Sequence, residues 1–283
     1  MKRVDAHLHF WQLSRGDYDW LTPALAPLYR DFLPEHAGAA LEAAGVDRVV
    51  VVQAAATEAE TRHLFALAKS EPRIAGVVGW TDFEATDAPA RIAALRADGG
   101  GLLKGLRPMV QDLADPAWLA RPALDPAFDA LVAHDLAFDA LVRSVHVPAL
   151  EARLRRHPQL RVVIDHAAKP DIAAGEFDAW AAALAALARH PNVHCKLSGL
   201  LTEAAPGADA DTLDRHVAHL FAQFGPRRVL WGSDWPVLTL RADYARWLAI
   251  ARALLERHAP GHEAAVFAGN AAAFYRLPPG APA

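Results

Sequence analysis

Cysteine occurs once in 283 residues, as Cys195, so no intrachain disulfide can brace the fold and nothing in the thiol content points to an oxidising compartment. Long apolar runs are also missing. A membrane-spanning helix needs roughly 20 uninterrupted apolar residues, and the longest tracts here, such as residues 179–188, are short and alanine-rich. Met1-Lys2-Arg3 leads into Val4-Asp5-Ala6-His7 rather than the apolar segment of a signal peptide, so a cytoplasmic address is expected. Nor is there a strong charge of either sign: 29 Lys and Arg stand against 33 Asp and Glu, a net charge of −4. Nucleic-acid binders usually carry a basic stripe. The one dense cluster, Arg153, Arg155, Arg156 and His157, falls late in an expected helix, where cations suit the macrodipole, and reads as a solvated face. No nucleic-acid or membrane partner is expected, and nothing bears on oligomeric state.

Apolar residues make up 53% of the chain, enough for a sizeable core. Eight segments read as buried parallel strands: 3–7, 47–53, 74–80, 102–107, 136–142, 161–166, 193–198 and 229–234. They are continuous apolar runs rather than alternating ones, as in strands covered on both faces. Their starts recur about every 32 residues, the size of a strand-helix-loop unit. Helices are expected over 34–45, 57–71, 176–189, 209–224, 241–258 and 262–275, with stops at Pro72, Pro191, Gly225-Pro226 and Pro260. Strict alternation predicts the α/β class, and eight units suit a closed (β/α)8 TIM barrel. No linker divides the chain, so residues 1–283 are expected to form one domain with a C-terminal helix and a short Pro-rich tail.

The first strand ends Asp5-Ala6-His7-Leu8-His9. Residues two apart on an extended chain share a face, so His7 and His9 project together at the C-terminal strand end, where barrel active sites lie. Two imidazoles aimed at one point form a metal-binding pair. The sixth strand runs into Asp165-His166 and the eighth into Ser233-Asp234. A lone carboxylate after a strand is often only a helix cap, but capping does not explain His7, His9, His166 and Asp234 together at the ends of three strands.

His7-x-His9, Asp165-His166-x-x-Lys169-Pro170 and Gly232-Ser233-Asp234-Trp235-Pro236 together resemble the amidohydrolase superfamily over essentially the whole chain. More narrowly, the chain is similar to the branch holding sugar-acid lactonases of the L-fuconolactonase and L-rhamnonolactonase types, pyrone-dicarboxylate lactonase and sulfomuconolactone hydrolase. The resemblance implies an amidohydrolase-type barrel in which His7, His9 and Asp234 hold one zinc-like divalent ion or its water. It makes Asp234 the general base and His166 its assistant at the carbonyl, and it implies hydrolysis of a small lactone, a sugar lactone first. The fifth strand carries Asp139 where fuller metal sites have histidine, and Lys104 stands near the bridging-lysine position, so both one ion and none fit.

Substrate-holding candidates are the strand-end residues Gln53, Trp80, Lys104 and Arg107, with Trp11 after the histidine pair and Lys169 after His166. Arg107 could bind a carbonyl or carboxylate through its planar guanidinium, and Trp11 or Trp80 could cover a sugar face. Lys196 and Ser198, ending the seventh strand, could face the mouth, whereas Cys195 reads as a buried structural thiol. A carboxylated or sulfonated lactone would need several cations, for which Arg107, Lys104 and Lys169 are available. A metal-dependent decarboxylase and a non-catalytic sugar-binding barrel complete the alternatives.

Overall fold

A computed structural model describes residues 2–278. The eight strands are β1 Arg3–Leu8, β2 Val46–Val52, β3 Ile74–Gly79, β4 Leu103–Leu106, β5 Ala137–Ala140, β6 Val162–Ile164, β7 Val193–Leu197 and β8 Val229–Trp231. Each lies within its expected segment or overruns it by one residue. The strands pair in sequence order, every ladder parallel. Helices α1 Pro34–Ala43, α2 Glu58–Ser70, α3 Ala88–Gly99, α4 Asp125–Ala133, α5 Val147–Arg156, α6 Asp178–Ala188, α7 Ala210–Phe224 and α8 Tyr244–His258 connect them. No helix among the described residues is long and apolar enough to cross a membrane.

The barrel is filled by Val4, Ala6, Val50, Val52, Val163 and Leu230, branched or small side chains that pack a narrow interior. A larger apolar layer separates strands from helices. The C-terminal helix differs from its expected form: residues Ala265–Gly269 are π-helical and pass into a short α9, Asn270–Phe274. Phe274, Tyr275 and Leu277 join the barrel-interior cluster, so this segment plugs the barrel instead of lying on its surface. The remainder of the Pro-rich tail, beyond Pro278, lies outside the described residues.

The basic cluster on α5 is not one solvated face. Arg153 is fully buried; it donates to Leu119 O and Arg121 O, pairs with Asp125, and lies over the Phe128 ring. His157 is buried too, which leaves only Arg155 and Arg156 exposed. Cys195 is fully buried, and burial pushes its thiol far above the usual range, as a structural cysteine requires.

The closing seam positions the chemistry. Beyond the ladders, Leu8 bridges Trp235, Asp234 N donates to His7 O at 2.8 Å, and His9 N donates to Trp235 O at 2.8 Å. The same backbone bonds that close the mouth therefore set Asp234 beside both first-strand histidines.

Candidate active site

His7 and His9 face inward together, but simple alternation does not account for it. Asp5 pairs with Val49 and Leu8 with Val51, so β1 carries one residue more than β2 across this stretch, a bulge. The bulge turns Asp5 away from the histidines. Its carboxylate accepts from Ser233 N at 2.8 Å, His7 N at 3.1 Å and Tyr244 OH at 2.8 Å, which ties β1 to the turn after β8 and to α8. Burial outweighs these bonds and raises the Asp5 carboxyl above its ordinary range. Gly232 keeps the seam tight: a Cβ there would lie 2.7 Å from His7 Cβ.

His7 Nε2 and His9 Nε2 are 3.1 Å apart, and Asp234 Oδ1 lies 3.7 Å from the first and 3.3 Å from the second. These three buried ligand atoms all fall within 4.8 Å of one another. Two imidazole nitrogens and one carboxylate oxygen form a donor set that fits one divalent ion of the zinc type and leaves room for water or substrate. Asp139 and Lys104 do not join it. His166 Nε2 approaches Asp234 Oδ1 to 3.9 Å, its ring centroid 4.5 Å from that of His7.

Strain marks the two loops that deliver these groups. Residues His166 to Lys169 form a run of four non-glycine residues with φ between 48° and 60°, and Asp234 has φ 59°. Left-handed conformations of this kind cost energy and persist where the surroundings over-determine them. His166 Nδ1 meets Ser198 Oγ at 2.9 Å. Gly199, itself at φ 65°, makes room for the ring, since a Cβ there would sit 2.5 Å from His166 Nδ1.

Burial pushes the His166 imidazole down to about 4, opposed only in part by Asp234. His7 falls well below the usual range because it is buried and faces the Lys196 charge. Burial alone would raise Asp234, but His166, His9 and His7 outweigh it and hold the carboxyl well below its ordinary value. At neutral pH Asp234 is thus an ionised carboxylate beside the neutral imidazoles of His7 and His166.

Beneath the mouth lies a buried ionic cluster. Lys196 Nζ contacts Asp139 Oδ2 at 2.6 Å, Asp165 Oδ1 at 2.9 Å and His7 Nδ1 at 3.0 Å. Tyr275 OH donates to Asp139 Oδ2 at 2.6 Å. Burial raises Asp139, and Lys196 only partly offsets this; for Asp165, Lys196 and His7 overcome burial and hold it well below its usual range. Arg107 Nη1 approaches Asp165 Oδ2 at 3.4 Å, while Arg107 Nη2 donates to Gln53 O and Gln53 Nε2 to Arg107 O. Sequence reasoning left out Asp165 as a site residue. A signal was available, because a charged residue within or directly after a continuous apolar strand must find a partner inside.

The cavity above this cluster measures about 240 Å³ and is lined by His9, Trp20, Arg107, His166, Lys169 and Asp234 among others. Arg107 and Lys169 therefore lie where the sequence placed them, although Lys169 is paired with Glu203. Gln53 does not line the cavity; it holds Arg107. Trp80 is outside the lining as well, its carbonyl accepting from Thr61. Trp11 is fully buried, donates its indole N–H to Arg30 O, and packs edge-on against Trp20 at 5.4 Å. Trp20 is the tryptophan of the cavity wall. Its indole donates to Ala54 O at 2.7 Å, and the turn carrying Ala54 is fastened by Glu60, which accepts from the N–H groups of Ala54 and Ala55.

Lys104 is a correction. It points to the opposite end of the barrel, where its Nζ donates to Arg276 O and it lines a recess of about 640 Å³ together with Arg48 and Arg73. That recess is the larger of the two, but no imidazole lines it, whereas the cluster of imidazoles around Asp234 lies at the smaller cavity.

A family profile described as Amidohydrolase matches residues 4–277. An L-fucono-1,5-lactonase of Burkholderia ambifaria is 50% identical over 279 residues, covering 97% of this chain and 96% of the relative. An L-fucono-1,5-lactonase of Burkholderia multivorans is 38% identical over 291 residues, covering 98% and 96%. The crystal structure of an amidohydrolase from Burkholderia multivorans with bound zinc superposes with a TM-score of 0.90 at 37% identity, covering 98% of this chain and all of that one.

Proposed function

The chain belongs to the amidohydrolase family, and we propose that it is a lactonase which opens a neutral sugar lactone of the L-fucono-1,5-lactone kind to its hydroxy acid, with Asp234 as the base for water. The observation that carries this reading is Asp234 itself: an ionised carboxylate at the cavity floor, 3.3 Å from His9 and 3.9 Å from His166.

A lactone is an ester, and its hydrolysis needs an attacking water, a proton acceptor for that water and donors for the oxyanion. Asp234 accepts the proton and returns it to the ring oxygen as the C–O bond breaks. Ser198 Oγ lies 2.9 Å from His166 Nδ1, and when the hydroxyl donates there the ring's proton sits on Nε2, placed to meet the developing oxyanion. Arg107, held by Gln53 and Asp165, lines the cavity and can offer its guanidinium to a substrate oxygen. Trp20 offers the apolar ring face that covers one side of a sugar. His7, His9 and Asp234 would hold a divalent ion, which when bound would polarise the carbonyl and lower the pKa of its water toward about 7.

The charge pattern favours a neutral substrate over a carboxylated or sulfonated lactone. Of the three cations expected to bind an anionic substrate, Lys104 lies at the far end, Lys169 is neutralised by Glu203, and Arg107 is shared with Asp165. The cavity volume also lies below the usual 300–1,000 Å³ of ligand pockets, roughly the room for one small ring. A small-molecule substrate follows; a cytoplasmic enzyme without nucleic-acid or membrane partners is the reading its composition supports.

The test is acid release from L-fucono-1,5-lactone, followed with a pH indicator. Turnover above the spontaneous rate is expected, and Asp234→Asn should lower kcat by about 10²–10⁴ while calorimetry still detects lactone binding. No turnover of any sugar lactone by folded protein would overturn the reading.

A further inference from the structure

The hydrogen bond on the far side of a metal-ligating imidazole sets its tautomer. A carbonyl or carboxylate that accepts from Nδ1 leaves Nε2 with the lone pair a metal needs. His9 follows this pattern, with Val52 O 2.8 Å from its Nδ1. His7 does not. Its Nδ1 lies 3.0 Å from Nζ of Lys196, in hydrogen-bonding geometry, and 3.4 Å from Asp165 Oδ1. An ammonium has three protons to give and no lone pair to receive one. When it donates to Nδ1, the single proton of a neutral imidazole must sit on Nε2. The donors then run in one direction, from Lys196 to His7 Nδ1, from His7 Nε2–H to His9 Nε2 at 3.1 Å, and from His9 Nδ1–H to Val52 O.

We propose that Lys196 and Asp165 compete for Nδ1 of His7, and that Lys196 holds this imidazole in its Nε2–H tautomer, so that an ion can be taken up only when the ring proton is carried on Nδ1 and donated to Asp165. The exchange is balanced. One proton leaves Nε2, one arrives at Nδ1 through solvent, and the ring stays neutral. Lys196 keeps its place afterwards because Asp139 Oδ2 at 2.6 Å and Asp165 Oδ1 at 2.9 Å still hold it. Lys196 is therefore a positioning residue with two consequences. In the Nε2–H form His7 is a donor toward His9 and Asp234, and in the Nδ1–H form it is a ligand. The inference rests on reading His7 as a metal ligand and is independent of which lactone, if any, is turned over.

Long-range proton–nitrogen correlation spectra of protein labelled with ¹⁵N-histidine read the tautomer directly, with His7 assigned by difference against His7→Asn. In chelator-treated wild type, His7 is expected to carry its proton on Nε2. After one equivalent of zinc, the proton should be on Nδ1. In Lys196→Met the metal-free ring should already be Nδ1–H, and the zinc Kd, measured by competition with a chromophoric chelator, should fall by about tenfold or more, the factor by which a competent tautomer populated to about a tenth or less raises the apparent Kd. Metal-free wild type with His7 protonated on Nδ1 overturns the proposal. So does a tighter zinc site in Lys196→Met without a change of tautomer, because charge repulsion alone would then explain it. Removing the ammonium strips two buried carboxylates of their partner, so the wild-type spectra decide the matter where that variant does not fold. They do so whether or not any lactone is hydrolysed.

Discussion

Replacing Gly199 by alanine perturbs the site through one contact whose size can be worked out. The residue sits at φ 65°, and a Cβ on it would lie 2.5 Å from His166 Nδ1, 2.6 Å from Cγ and 3.0 Å from Cβ. The left-handed backbone costs a residue with a Cβ about 1–2 kcal/mol, and overpacking a filled site adds about 1–3 kcal/mol. The sum is about 2–5 kcal/mol, which at the unfolding entropy typical of a chain this long lowers Tm by about 3–8 °C. The imidazole must move, and displacement by an ångström can cost about 10² in kcat. The decisive measurement is a double-mutant cycle with His166→Ala, following both the melting temperature and kcat. Once the ring is gone, Gly199→Ala should cost only the backbone component, about 1–2 kcal/mol, with no further loss of kcat. A coupling of about 1–3 kcal/mol between the two positions is expected. Equal costs in both backgrounds would refute the argument that Gly199 exists to seat His166.

Two further expectations separate cavity residues from their supports. Trp20→Ala should raise KM about tenfold with little change in melting temperature, whereas Trp11→Ala should destabilise by about 3–5 kcal/mol, the usual loss for a buried aromatic; Lys104→Ala should leave kcat/KM unchanged, and a large drop would put Lys104 back in the site. Acid should weaken the fold through its buried histidines, while Glu60, which burial raises to about 7, acts in the opposite sense and offsets part of the loss. His194 and His216 are each pushed down to about 4, by burial first and then by Arg228 and Arg215 respectively, while the unfolded chain titrates its histidines near 6.5. Between those values the unfolded state binds more protons, so the stability present above about 6.5 is lost as pH falls toward 4. A slope of melting temperature between pH 7 and 4.5 that is unchanged in His194→Phe and His216→Phe would contradict the assignment.

Much of the architecture was legible because its signals are local. A strand covered on both faces must be continuously apolar, and eight such runs at regular spacing admit few folds. His7, His9, His166 and Asp234 were readable because each ends a strand, and strand ends in a barrel converge at one mouth whatever the details. The C-terminal segment was readable as a helix but not as a plug, since nothing in residues 262–275 reveals which surface they cover. The bulge in β1 was also hidden. An inserted residue shows only against a partner strand, and without it Asp5 would share the histidines' face.

The choice among like residues was tertiary throughout. Lys104 and Lys196 both interrupt apolar strands, but only Lys196 reaches His7, because the barrel places the lysine of β7 beside the histidines and that of β4 at the opposite end. Trp11 is nearest to His9 in sequence, yet Trp20 forms the wall. Residues 10–33 fold over the mouth, and the loop's contacts with the turn after β2 decide which ring is presented. The sequence determined that two histidines and an aspartate stand at strand ends that converge on one mouth, whereas the bulge in β1 turns the histidines inward to meet the aspartate. Whether His7 arrives as a donor or as a ligand is decided by Lys196 and Asp165, which lie more than 150 residues away along the chain and come within 3.0 Å and 3.4 Å of it only when the barrel closes.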